Sequence, residues 1–175
     1  AFWVWARWSS WWWMGSTVTE SDITWQLENF AKAGLGGVHI IPIYGVKGLE
    51  QQAIPFLSPR WMQVLTHTIR EGKRLGLGVD MTTGTGWPFG GPNVTPDLAA
   101  KKWQYTNGKF ESVLTKQAVK RAAPGGAGLV LDPFLENAIP RYVQRFDSAF
   151  ATIKELPRAM YNDSYEVYGA CLLYT

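Results

Sequence analysis

Three short, mostly apolar runs limit what this chain can fold into. Residues 37–43 (GVHIIPI) carry no acidic or basic side chain apart from His39, and residues 77–83 (LGVDMTT) carry only Asp80. Residues 2–8 (FWVWARW) are apolar at odd and even positions alike, apart from Arg7. Runs of this length without polar alternation suit strands buried on both faces, the habit of parallel sheets. Parallel neighbours need long crossover connections, and the segments between the runs have the pattern of crossover helices.

The first such segment opens with Thr19 and has Asp22 in the capping-box position, followed by Ile23, Leu27 and Phe30 at helical spacing and a stop at Gly34. The second opens with Ser58 and Pro59, buries Met62, Leu65, Ile69 and Leu75, and closes at Gly76. Asn107-Gly108 predicts a two-residue hairpin turn inside a small β excursion over about residues 102–121, and the Pro/Gly-rich residues 122–128 lead back to the main fold. Residues 129–131 read as a further strand. Asp132 and Pro133 can open a helix striped by Ile139, Val143, Phe146, Phe150 and Ile153, and residues 158–162 (RAMYN) read as a last strand.

The expected fold class is therefore α/β: a partial (β/α)8 TIM-type barrel with about four to five parallel strands and a β-hairpin excursion, spanning residues 1–170. A closed barrel takes about 250 residues, more than this chain has. A doubly wound open sheet is the competing architecture, but its dinucleotide fingerprint is missing from the first strand-to-helix turn.

Composition excludes several classes. With 46% hydrophobic and 18% charged residues the chain is of ordinary globular type. No run approaches the roughly 18 apolar residues of a membrane span, and the amino terminus lacks the basic-then-apolar pattern of a leader. The net charge of +3 is scattered, and the densest cationic run, Arg70, Lys73 and Arg74, is a solvated helix face rather than a nucleic-acid stripe. The single cysteine, Cys171, rules out an intramolecular disulfide and a cysteine metal cage. Aromatic content is high, with 10 Trp, 7 Tyr and 8 Phe, suited to a core, an interface or a platform for sugar rings.

In parallel α/β folds the reacting groups gather at the carboxyl ends of strands. Four segments fall there: Trp11, Trp12 and Trp13; Tyr44 and Gly45; residues 82–93 (TTGTGWPFGGPN); and residues 162–166 (NDSYE). The Gly-Thr-Gly of the third invites a phosphate-cradle reading, but Pro88 and Pro92 remove amide donors and no Gly-Lys-Ser/Thr follows. Trp87 is then either a stacking platform or buried packing. Asn162, Asp163 and Glu166 are either a functional polar cluster or a surface loop whose Asp163 caps a helix. Glycoside hydrolysis needs two carboxyl groups, and this segment can supply one side of the pair. His39 reads as a hydrogen-bonded core histidine, His67 as exposed, and Asp80 as either pointing into the barrel or part of a polar layer bonded to backbone or water. Asn93-Val94-Thr95 and Asn162-Asp163-Ser164 match the glycosylation sequon, a pattern that arises easily by chance.

At GLGGVHIIPIYGVKG, FLSPRWM, RLGLGVDMTTGTGWPFGGP, VTPDLAAKK and NDSYEVYGA the sequence resembles the barrel domain of the α-L-rhamnosidases of glycoside hydrolase family 106. The resemblance implies the amino-terminal half of a (β/α)8 catalytic domain in a larger, secreted or periplasmic bacterial enzyme with accessory β domains. It implies inverting hydrolysis of terminal α-L-rhamnose and calcium at the sugar site. Carried over, Glu166 and Asp163 become the catalytic acidic cluster, and Trp87, Asn162, Trp12, Trp13 and Tyr44 the substrate-binding wall; the metal ligands stay unassigned. Residues 171–175 (CLLYT) depart from the family pattern and read as an atypical tail. The alternative is a non-catalytic carbohydrate-binding or scaffold domain.

A half-barrel leaves strand edges unpaired, and such edges recruit other chains. The isolated chain is expected to dimerise, aggregate or stay partly molten. A sharp monomer peak in light-scattering chromatography with cooperative thermal unfolding would refute this.

Overall fold

The computed structural model describes residues 7–166. Four parallel strands form its central sheet: β1 (Arg7–Met14), β2 (Leu35–Ile43), β3 (Gly78–Thr82) and β8 (Ala159–Tyr161), in the order β1-β2-β3-β8. The helices α1 (Glu20–Lys32) and α2 (Pro59–Leu75) are the first two crossovers, and α3 (Ala138–Phe150) precedes the last strand. Between β3 and α3 run two short antiparallel pairs. One joins β4 (Gly90–Gly91) to β7 (Leu129–Val130), and the other is the hairpin β5 (Lys101–Thr106) with β6 (Lys109–Leu114). The described residues form an α/β fold with a four-stranded parallel sheet and three helices.

The helix termini follow the local chemistry. Thr19 is extended and accepts the Asp22 N–H, Ser58 accepts the Trp61 N–H, and Gly76 closes α2 in the left-handed conformation. The Asn107-Gly108 turn takes positive φ at both residues, as this dipeptide favours.

Three expectations need correction. The tryptophan run does not follow a first strand ending at residue 8 but lies within β1, because alternating indoles suit a pleat with unlike faces. The start of the expected strand at residues 2–6 lies outside the described residues. Secondly, β7 does not join the parallel sheet; it pairs antiparallel with Gly90–Gly91, so the parallel strands number four among the described residues. Thirdly, α3 begins at Ala138 rather than at Asp132, whose carboxylate instead accepts the Phe134 N–H in a preceding turn.

The two faces of the sheet differ. Trp11 and Trp13 point to the helices, Trp11 edge-on to Phe30 at 5.7 Å and Trp13 tilted against Trp61 at 5.9 Å. With Ile23, Leu27, Ile40, Leu65 and Tyr142 they make the core. The indole N–H groups of Trp11 and Trp61 donate to Gln26 and Ser16.

The opposite face carries Trp8, His39, Asp80 and Tyr161, brought together by the register Ser10↔His39↔Asp80↔Ala159. Trp8 lies flat over Gly37 and Gly78, where an added Cβ would come within 2.5 and 2.4 Å of its ring. Only glycine allows that approach. Asp80, buried, accepts two bonds from the Arg158 guanidinium, which in turn stacks on Trp8 at 4.3 Å. Asp80 thus points away from the helices. His39 is only half-buried and sits between Trp8 and Tyr161, 3.5 Å from Asp80. His67 is partly buried too, bonded to Thr24 across the α1–α2 seam rather than exposed.

Replacing Arg158 by alanine strands a buried carboxylate and unpins β8. Chemical denaturation should show a loss of about 3 kcal/mol, the low end of the range for a broken buried pair because Arg158 itself reaches solvent. A second ion pair behaves differently. Arg60 beside Glu20 holds that carboxyl down from 4.5 to about 2. A depressed folded-state value contributes stability above pH 4.5 that disappears as the pH falls through about 2. Both side chains are exposed, so Glu20→Gln should cost less than about 1 kcal/mol at pH 7 and nothing near pH 2, read from denaturation midpoints at the two pH values.

Candidate active site

The carboxyl ends of β2, β3 and β8 are laced together by three loops. The loop after β3 runs beside the segment after β8: the Thr83 N–H donates to the Tyr161 carbonyl and the Phe89 N–H to that of Ser164. The return strand of the excursion closes over the same loop, with reciprocal Trp87–Lys120 backbone bonds of 3.0 and 2.6 Å. From the β2 side, the Tyr44 N–H donates to the Arg121 carbonyl and the Gly86 N–H to that of Pro42. Tyr142 on α3 braces the underside, its hydroxyl within 2.8 and 2.9 Å of the Thr83 and Gly90 carbonyl oxygens. Burial pushes that phenol well up from its usual range.

This lacing brings together most of the residues read from the sequence. Trp87 and Tyr44, both half-buried, share one guanidinium: the Arg121 carbon lies 5.2 Å from the Trp87 ring and 5.5 Å from the Tyr44 ring. The same arginine donates to the Tyr44 hydroxyl. Asn162 turns its amide onto the Ser164 carbonyl, and the Gln117 amide donates to the Glu166 carbonyl. Asp163 and Glu166 are exposed. Burial, then the charges of Asp163 and Asp80, push the Tyr161 hydroxyl up to about 12. Glu166 and Trp87 therefore lie at one end of the sheet.

The tryptophans of β1 divide. Trp13 is 1% exposed and belongs to the core, as does Trp11, so neither reaches the surface where a sugar would stack. Strand alternation turns Trp12 to the other face, where it is 54% exposed. Both sequon asparagines have their amide nitrogens engaged, Asn93 on the Tyr142 carbonyl and Asn162 on that of Ser164.

Arg121 escaped the sequence reading. It lies in a loop, and the only local signal is the cation-rich TKQAVKR at residues 115–121. Its ring partners lie 77 and 34 positions away and meet it only after folding.

No three His, Cys, Asp or Glu side chains converge among the described residues. Cavities of about 970 and 440 Å3 lie elsewhere, the first between α2 and α3, the second below the amino end of β3. A four-stranded sheet leaves its mouth open on one side, so the cluster at the strand ends is a wall rather than an enclosed pocket.

The profile of a glycoside hydrolase family, described as alpha-L-rhamnosidase, matches residues 4–125. A protein of Formosa agariphila that carries a provisional beta-glucuronidase name is 26% identical over 119 residues, covering 66% of this chain and 10% of that protein. A solved rhamnosidase from Novosphingobium sp. PP1Y aligns with a TM-score of 0.45 and 25% identity over 57% of this chain and 10% of its own. The chain spans about a tenth of the length of both relatives.

Gly86 is the residue on which the lacing turns, since a Cβ there would sit 2.0 Å from the Lys120 carbonyl oxygen and its φ is positive. Gly86→Ala should part the two loops and raise amide hydrogen exchange at Trp87 and Lys120 at least about tenfold, with the amides of β2 still protected.

Proposed function

We propose, from the premise that this chain belongs to the alpha-L-rhamnosidase family of glycoside hydrolases, family 106, that it forms one wall of a site that hydrolyses terminal α-L-rhamnosides. The observation that carries this reading is the convergence at the strand carboxyl ends. There the segment bearing Asp163 and Glu166 is bonded through Ser164 and Glu166 to the Trp87 loop and to Gln117.

Inverting hydrolysis needs a carboxylic acid to protonate the leaving oxygen and a carboxylate to activate water from the opposite face, about 6.5 to 9.5 Å apart. Glu166 supplies one of these groups. Asp163, next to the bonded Asn162, supports it or holds sugar hydroxyls. The second carboxylate comes from another part of the polypeptide, so residues 1–175 alone turn over nothing. Trp12, exposed on the face that carries Asp80, and Trp87 offer apolar surface to the sugar.

Calcium belongs to the same proposal, since a hard cation on carboxylates and carbonyls can hold adjacent hydroxyls. The chemistry assigned here to Glu166 runs without the ion. A secreted or periplasmic setting and accessory β domains accompany the reading as well.

In the full-length protein Glu166→Gln should lower kcat on an aryl α-L-rhamnoside by about 10^2 to 10^4, the range of a lost general acid or base. Proton NMR should show the β anomer of rhamnose released first. Glu166-dependent turnover by the 175-residue chain by itself would overturn the two-part site.

A further inference from the structure

Arg121 differs from six other arginines of this fold in what it holds. Arg60, Arg70, Arg74, Arg141 and Arg158 each pair with a carboxylate. Arg145 donates to the carbonyls of Phe56 and Gly125. Arg121 is exposed, and among the described residues its side chain donates only to the phenol oxygen of Tyr44.

The way it is held matters chemically. The N–H donors of a guanidinium lie in its plane, while the faces are what aromatic rings engage. Contact with Trp87 and Tyr44 therefore restrains the guanidinium while spending only the one donor that reaches the Tyr44 hydroxyl. Its backbone is anchored as well, by the Tyr44 N–H on its carbonyl and by the tight packing of Gly86 behind it. Arg121 also has φ of 56°, a conformation that non-glycine residues keep where surrounding contacts over-determine it, often at ligand sites.

The geometry points to an anion subsite at the mouth of the strand ends, in which Arg121, presented by Trp87 and Tyr44, binds the carboxylate of a uronic acid residue in the glycan. A planar carboxylate can accept two parallel bonds from the guanidinium fork. This subsite rests on the glycosidase reading above and adds to it a substrate class, an acidic glycan rather than a neutral one.

Calorimetric titration of the full-length protein tests it, with methyl β-D-glucuronide as the sodium salt, its uncharged methyl ester, and galactose 6-sulfate. The uronate should bind at least about tenfold more tightly than the ester at low salt, with the preference shrinking as NaCl is added. Arg121→Gln should abolish the preference, and Arg121→Lys should keep part of it. Equal affinity for uronate and ester overturns the subsite, a result that needs no variant to fold. So does a preference that survives in Arg121→Gln, and tighter binding of the sulfate ester overturns the carboxylate assignment. The readout is separate from turnover. Uronate preference in a protein that cleaves no rhamnoside supports the subsite and sinks the glycosidase reading, while cleavage of a neutral rhamnoside with no uronate preference does the reverse.

Discussion

The bond on which the candidate site depends is the two-pronged contact between Asp80 and Arg158. β8 is only three residues long and pairs with one neighbour in the described sheet, so its backbone bonds to β3 would hold it weakly on their own. The guanidinium adds a charge-assisted fork from the start of that strand to a buried carboxylate in the middle of β3. Trp8 covers the fork on one side, and it can lie there only because positions 37 and 78 have no Cβ. A short strand is thus fixed by side chains rather than by length. The segment that follows it, with Asn162, Asp163 and Glu166, takes its position from that anchor.

Above this anchor the connections after the strands are as ordered as the strands themselves. The loop after β3 is rich in glycine and proline and buries Thr85 and Phe89. It is held by backbone bonds to the β2 end, the excursion and the β8 segment together. Such a loop acts as a shared splint: moving any one of the three partners disturbs the other two. That is why Tyr44, Trp87, Arg121 and Glu166, spread over more than 120 positions of sequence, lie at one end of the sheet. Acidic and cationic groups are both present there.

Much of the scaffold was legible in the sequence because its signals are local. Thr19, Ser58 and Gly76 mark helix ends through bonds within one turn of chain, and Asn107-Gly108 marks a hairpin through its own backbone preference. The apolar runs at residues 37–43 and 77–83 became β2 and β3 with small changes of boundary. The tryptophan run was harder, since indoles satisfy a turn, a platform or a strand equally well until neighbours are known. Burial of Trp11 and Trp13 with exposure of Trp12 is decided by α1 and α2 covering one face of β1 and not the other. The pairing of β7 with Gly90–Gly91 was hidden for a similar reason: two residues carry no periodicity, and antiparallel partners some 40 positions apart leave no local trace.

The sequence by itself determined the α/β class, most of the succession of strands and helices, and the family resemblance. These follow from periodicity, capping and motif, all of which act over a few residues. Only the tertiary structure decided that Asp80 holds Arg158, that Trp13 is core while Trp12 is surface, and that Arg121 stands between Tyr44 and Trp87. A charge or a ring takes its role from the neighbours that remove its water, and those neighbours come from distant segments that meet only when the sheet and its loops have closed.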